Sequence, residues 1–112
     1  MRYLIIVFIL ILTSCSRWKE GNYRVQEDEF SECQNLVFDI SDRLNSMRVE
    51  CIQKIGSNNN FIVILDIDAN YWFIDKSKDN KYFNSNEIVE GPFLKAEYLK
   101  MDRFKDIILA DV

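Results

Sequence analysis

Three cysteines, Cys15, Cys33 and Cys51, are the residues of this chain with the widest range of chemistry. A thiol can be modified, form a disulfide, bind a metal or act as half of a redox pair. The sequence contains no histidine, so nucleophiles activated by histidine and histidine-ligated zinc are both excluded. What each cysteine does must therefore follow from its position in the chain.

Residues 1–14 have the three parts of a cleaved export signal. Arg2 supplies the positive charge, an unbroken apolar run extends from Leu4 to Leu12, and small residues precede Cys15. The alternative is a retained transmembrane helix, but crossing about 30 Å of hydrocarbon takes roughly 20 apolar residues, about twice the length of this run. We therefore predict that residues 1–14 are removed.

The segment Leu12-Thr13-Ser14-Cys15 resembles the lipobox of bacterial lipoproteins. The resemblance implies a diacylglycerol on Cys15, cleavage directly before it, and an acyl chain such as palmitate on the new amino terminus. Two or three chains anchor a protein stably, whereas one is marginal. Ser16 stands where an aspartate would resemble an inner-membrane retention signal. We expect a membrane-anchored protein outside the cytoplasm, on the periplasm-facing outer membrane if the source is Gram-negative.

Cys33 and Cys51 remain once Cys15 carries lipid, in a compartment outside the reducing cytosol. A disulfide between them is the prediction, and closing a loop of about 19 residues would stabilise the fold by about 3 kcal/mol. Two free buried cysteines are the second interpretation. A redox pair is the third, although such pairs typically have Cys-x-x-Cys spacing.

The charge balance limits the class of partner. The chain has 112 residues, with 14 Lys and Arg against 18 Asp and Glu. Without residues 1–14, which include Arg2, 98 residues remain (112 − 14) with 13 basic (14 − 1) against 18 acidic, a formal charge of −5. Nucleic acids and anionic bilayers are bound mainly by Lys and Arg, so neither is expected as an electrostatic partner. The acidity fits simple solubility or a basic protein partner.

Segments rich in β-branched and aromatic residues dominate the middle of the chain. Residues 15–22 are predicted to be the lipidated cysteine and a tether, and residues 23–112 a single globular domain. Strands are predicted at residues 23–25, 36–40, 47–55, 61–66 and 71–75. In the third strand, Met47, Val49 and Cys51 alternate with charged side chains, which indicates one buried face.

The expected fold class is α+β and mainly β, with a small antiparallel sheet of about five strands and one C-terminal amphipathic helix. Turn-forming residues at 56–60 and 68–70 predict that the last three strands form a meander. Pro92 precedes apolar residues spaced three and four apart, which predicts a helix over residues 93–109. We expect its apolar stripe to pack on the sheet rather than to bind a partner.

Two groups of carboxylates are candidates for cation binding or catalysis. Residues 66–70 have the Asp-x-Asp-x-Asn pattern that begins a calcium loop, but Tyr71 replaces its glycine and Ser77 its glutamate. A hairpin turn fits this segment better. For the acidic run 27–29 with Glu32, a solvated loop face is favoured over a contact patch for a basic partner, because a linear run shows neither burial nor spacing. We predict no catalytic residue, metal site or cofactor.

The aromatic residues are more numerous than a small core needs, with 8 Phe, 5 Tyr and 2 Trp. Tyr71, Trp72 and Phe73 are consecutive on a predicted strand, so neighbours should face opposite sides of the sheet. Exposed Trp and Tyr are common binding anchors, which makes these three residues the candidate binding residues. Partly exposed core packing is the competing interpretation.

Residues 54–58, 71–76 and 86–92 resemble a family of small exported bacterial proteins classed as domain of unknown function 3997. The resemblance covers about half of the part that follows Cys15. It implies a compact, mainly β, exported domain. Because that family has no assigned activity, it implies no functional residue.

Two functions are consistent with these features. The first is a membrane-anchored, non-catalytic protein-binding domain, such as an immunity-type inhibitor or an accessory subunit of an envelope complex. The second is a module that binds a small ligand or a cell-wall fragment through Tyr71, Trp72 and Phe73, and a concave aromatic surface would favour it. An enzyme is not expected, because no catalytic constellation is present in the sequence.

Overall fold

The computed structural model describes residues 18–112. The predicted export signal and Cys15 lie outside the described residues. The strands are β1 (Lys19–Glu20), β2 (Tyr23–Glu27), β3 (Gln34–Ser41), β4 (Leu44–Val49), β5 (Ile52–Ser57), β6 (Phe61–Asp66), β7 (Tyr71–Asp75), β8 (Val89–Phe93) and β9 (Ala110–Asp111). The helical elements of this part are α1 (Ser85–Ile88), α2 (Lys95–Tyr98) and a 3-10 turn (Asp102–Phe104).

The strands form two antiparallel sheets rather than the one that the sequence predicts. The first has the order β1-β2-β3-β4 and the second the order β8-β7-β6-β5-β9. Within the second, β5, β6 and β7 pair consecutively, as the turn residues predict. The prediction of a mainly β, antiparallel fold is therefore confirmed, whereas the number of sheets is corrected.

The single strand predicted over residues 47–55 is wrong, and this error accounts for the missing sheet. β4 ends at Val49 and β5 begins at Ile52, in different sheets. Cys51 between them has a φ of 53°, a left-handed value that an extended strand cannot contain. Its N–H donates to Asn35 Oδ1 at 2.9 Å, and its carbonyl accepts from the Ile67 N–H at 3.0 Å. These bonds fix the crossover between the sheets.

The main hydrophobic core lies between the two sheets. The four-stranded sheet contributes Tyr23, Val25, Leu36, Phe38 and Val49, and the five-stranded sheet contributes Ile52, Ile55, Ile62, Ile64 and Ile74. Because side chains alternate along a strand, each sheet can present one apolar face to the other. The alternating apolar residues of β6 and β7 then require a second layer on the outer face of the five-stranded sheet.

The C-terminal segment supplies that layer, but not as the helix predicted over residues 93–109. Val63, Tyr71 and Phe73 of the sheet pack with Phe104 and Ile107. Between Phe93 and Leu109 the structure has α2 and the 3-10 turn, joined by irregular chain. The segment therefore covers the sheet as expected, with a different backbone.

Two contacts explain why a single helix does not form. The chain through Phe93 is paired with β7, so Pro92 belongs to a strand instead of starting a helix. Further along, a Cβ at Gly56 would lie 2.4 Å from the Ile108 carbonyl oxygen, so the segment rests directly on the backbone of β5. Leu94 and Ile108, which the predicted stripe would bury, are 66% and 87% exposed.

Part of the predicted tether, residues 15–22, belongs to the folded domain. Lys19 and Glu20 pair with β2, and the Trp18 carbonyl accepts a hydrogen bond from the Val25 N–H at 3.1 Å. The Trp18 side chain packs against the main core. Among residues 18–112, no helix is long and apolar enough to cross a bilayer.

Candidate functional site

An open cleft of about 670 Å³ lies where the chain crosses from one sheet to the other. Residues 48–51, at the end of β4 and the crossover, form one wall. The rest of the lining comes from the β6–β7 turn, from Trp72, and from residues of α1 and β8. The cleft therefore depends on the relative position of both sheets.

Trp72 is the aromatic side chain of the cleft lining. Its indole Nε1–H donates to Asp66 Oδ2 at 2.8 Å. A Cβ at Gly91 would come within 2.9 Å of Trp72 Cε3, so the glycine backbone packs directly against the ring. Both contacts hold the indole in one orientation, partly buried at the cleft.

Asp66 organises the turn between β6 and β7. Its Oδ1 accepts the N–H groups of Asp68 and Asn70, each at 2.9 Å, while Oδ2 accepts from Trp72. Ala69 has a φ of 65°, as a tight turn requires. The hairpin turn predicted for residues 66–70 is confirmed. Because its two oxygens are bonded internally, Asp66 has a structural role rather than that of an open acid or base.

Arg48 is charged, but its charge is already neutralised. Its Nε and Nη2 donate to the Asp79 carboxylate at 2.9 and 2.8 Å, and both side chains are 0% exposed. The hydroxyl of Tyr23 donates to the same carboxylate at 2.7 Å. Burial and this hydrogen bond to Asp79 raise the pKa of Tyr23, so its phenol stays protonated. Arg48 therefore joins β4 to the 76–84 loop, and the described residues that line the cleft include no free cation.

Glu50, at the crossover, and Asp68, in the β6–β7 turn, are exposed members of the cleft lining. Within the described part of the chain, neither carboxylate has a hydrogen bond or an ion pair. Because Arg48 is neutralised by Asp79, the carboxylates of Glu50, Asp66 and Asp68 make the net charge of the cleft lining negative.

The Cys33–Cys51 disulfide lies at the crossover, in the wall of the cleft formed by residues 48–51. The two cysteines are bonded, with Cα atoms 4.7 Å apart, and Cys51 lines the cleft. Cys33 ends the loop that leads into β3. The structure thus shows the predicted disulfide, rather than two free thiols, and it links the four-stranded sheet to the start of the five-stranded sheet.

No known protein family, curated protein or solved structure matches this chain. The resemblance to domain of unknown function 3997 therefore remains a prediction, and the chemistry of the cleft must be judged from its own residues.

The three predicted binding residues do not lie together. Trp72 lines the cleft, whereas Tyr71 and Phe73 are buried under the C-terminal segment. Tyr71 stacks on Tyr98 with ring centroids 4.4 Å apart. Glu50 and Asp68 were not among the predicted site residues, because the break in the strand at Cys51, beside which the cleft forms, has no signal in the hydrophobic periodicity.

The cleft offers an aromatic ring beside two unpaired carboxylates. This combination suits a cation carried on an apolar stem, because a ring face attracts a cation and the carboxylates pair with it. No group of three or more acidic or cysteine side chains within residues 18–112 is arranged to hold a metal ion.

Proposed function

We propose that this chain is a membrane-anchored, non-catalytic binding protein whose acidic cleft takes a basic segment of a protein partner. The observation that carries the proposal is that Glu50 and Asp68, two carboxylates without an ion pair, line the same cleft as Trp72, to which residues 18–112 contribute no free cation. A lysine or arginine side chain of the partner can place its methylene groups on the indole and its charge at the carboxylates. Such a surface is compatible with an immunity-type inhibitor and with an envelope accessory subunit.

The alternative function, binding of a small ligand or a cell-wall fragment, has weaker support. Sugar-like ligands are held by aromatic platforms, and the platform expected from residues 71–73 reduces to Trp72 alone. The concave shape of the cleft still favours some ligand, so the alternative predicts binding that is insensitive to the charge of Glu50 and Asp68. The test of the main proposal therefore changes that charge.

Replacing both carboxylates by amides, Glu50→Gln with Asp68→Asn, is expected to weaken partner binding about tenfold, since two partly exposed ion pairs contribute about 0.7 kcal/mol each. Both side chains are exposed, so the fold should be retained. The measurement is affinity purification of the tagged protein from its own membranes, with the recovered partner quantified by mass spectrometry at low and high salt.

Asp42→Asn with Asp102→Asn is the matched control. It removes the same charge from two exposed carboxylates outside the cleft lining, so partner recovery should equal that of the parent. Equal recovery with the cleft variant and the parent would contradict a charge-dependent partner and leave the small-ligand alternative.

We also propose that the protein is held at the membrane through lipid on Cys15, with the folded domain outside the cytoplasm. The support is the lipobox-like sequence before Cys15, together with the disulfide between the other two cysteines, since disulfides persist in oxidising compartments. Each buried methylene of an acyl chain contributes about 0.8 kcal/mol, so two or three chains suffice for stable anchoring.

Cys15→Ala should abolish incorporation of a tagged fatty acid, because it removes the thiol to which lipid is attached. Labelling of growing cells followed by gel fluorescence measures this directly. The variant that lacks Cys33 and Cys51 should keep its label, since those thiols form the disulfide. Parent-level labelling of Cys15→Ala would rule out this anchor.

A further inference from the structure

Phe30 is an aromatic residue that the core does not use. Its exposed fraction is 95%, the highest among the large hydrophobic residues of 18–112. It lies at the tip of the 28–33 loop between β2 and β3, flanked by the exposed carboxylates of Glu29 and Glu32. A large aromatic side chain in solvent, with carboxylates beside it, is a candidate contact for a protein partner.

The loop holds Phe30 in a defined position. The Asp28 carboxylate accepts the Phe30 N–H and the Ser31 hydroxyl, each at 3.1 Å. These two hydrogen bonds, the Phe30 bond first, lower the pKa of Asp28. The Asp28 N–H donates to the Cys33 carbonyl at 2.9 Å, which closes the loop. The backbone that presents the ring is therefore ordered before a partner binds, which lowers the entropic cost of ordering the loop.

The loop and the cleft lie at the same end of the molecule. β2 ends and β3 begins at this loop, and β4, which is antiparallel to β3, ends at this same edge of the sheet beside Glu50. The disulfide joins the base of the loop, Cys33, to the cleft wall, Cys51. Ile67, whose N–H donates to the Cys51 carbonyl, is 58% exposed at the same place.

We propose that Phe30 is the apolar anchor of one docking face, and that its partner is a basic protein segment with an apolar pocket for the Phe30 ring. This docking face comprises Glu29, Phe30, Glu32, Glu50, Ile67 and Asp68. The inference rests on the proposed function of the cleft and adds a second contact of different chemistry. Its basis is charge complementarity, because four exposed carboxylates lie at the same end of the molecule as the two exposed apolar side chains.

The docking face also lies at the end from which the domain is tethered. β1 is antiparallel to β2, and the Trp18 carbonyl is bonded to Val25, so the chain enters the domain at the end where β2 finishes. Three extended residues from Cys15 to Trp18 span at most about 10 Å. A lipid on Cys15 would therefore keep the docking face near the membrane surface. The carboxylates disfavour contact with anionic lipid, so a protein partner is preferred over the bilayer.

The test compares two fluorescent peptides of equal positive charge, oligolysine and an alternating Lys-Leu peptide, by anisotropy with the processed protein in neutral detergent. The parent should bind the Lys-Leu peptide about tenfold more tightly than oligolysine, as expected for one buried aromatic anchor. Phe30→Ser should remove this preference and leave oligolysine binding unchanged. Ile108→Ser, which changes an exposed apolar residue of the C-terminal segment, should behave as the parent.

The outcomes separate the two proposals. If Phe30→Ser keeps the preference while the Glu50→Gln, Asp68→Asn variant loses binding of both peptides, the anchor role is refuted and the acidic cleft stands. Binding of neither peptide by the parent would refute both. The parent and a Phe30→Trp variant are each placed in phosphatidylcholine vesicles with brominated acyl chains. The bromines should quench the tryptophan fluorescence of the variant no more than that of the parent. Greater quenching would place residue 30 in the bilayer and overturn the protein-docking role.

Discussion

Asp79→Ala should lower the free energy of unfolding by about 3–5 kcal/mol, because it leaves the guanidinium of Arg48 buried without a counter-charge. Both side chains are fully buried, and the same carboxylate accepts the Tyr23 hydroxyl. Small domains have only about 5–15 kcal/mol of stability in total. Guanidinium chloride unfolding, followed by circular dichroism, measures the loss as a lower transition midpoint.

Asp39→Ala is the matched control for this prediction. The Arg24 Nε–H donates to both carboxylate oxygens of Asp39, at 3.0 and 2.9 Å, but the side chains of Asp39 and Arg24 are 27% and 35% exposed. A partly exposed pair typically contributes at most about 1 kcal/mol. If the two alanine variants lost similar amounts of stability, the pair at Arg48 would not be the connection that holds the 76–84 loop to β4.

The strands that the sequence predicted correctly are those whose local pattern and tertiary position agree. β6 and β7 have the predicted bounds, because consecutive β-branched and aromatic residues bounded by turn residues can be buried on both faces. The Cys33–Cys51 disulfide followed from counting thiols once Cys15 was assigned to lipid. In both cases the residue types themselves left few alternative structures: the β-branched and aromatic runs favoured strands, and two remaining cysteines allowed only one disulfide.

The features that the sequence did not predict depend on single long-range contacts. Residues 47–55 alternate as one strand would, and only the φ of Cys51, together with the Asn35 and Ile67 hydrogen bonds to its backbone, breaks them into two. Likewise, the Arg48–Asp79 pair joins residues 31 positions apart. Hydrophobic periodicity contains no information about such contacts, so the second sheet and the cleft could not be anticipated.

The cleft therefore forms because the chain crosses between the sheets at Cys51. The disulfide fixes this crossover by bonding Cys51 to Cys33. Cys51 makes the disulfide, two backbone hydrogen bonds and part of the cleft lining. Removing the disulfide raises the conformational entropy of the unfolded chain. It also removes a constraint on the part of the cleft wall that contains Glu50. Stability and binding should thus decrease together when the disulfide is lost.

Replacing both cysteines, Cys33→Ala with Cys51→Ala, should lower the free energy of unfolding by about 3 kcal/mol, the loop-closure value for cysteines 18 positions apart. Urea unfolding of the parent with and without dithiothreitol provides an independent measurement. The reductant should bring the parent to the stability of the double variant and should not change the variant itself. A parent whose midpoint is insensitive to reductant, although mass spectrometry shows free thiols at both positions, would mean that backbone hydrogen bonds alone hold the crossover.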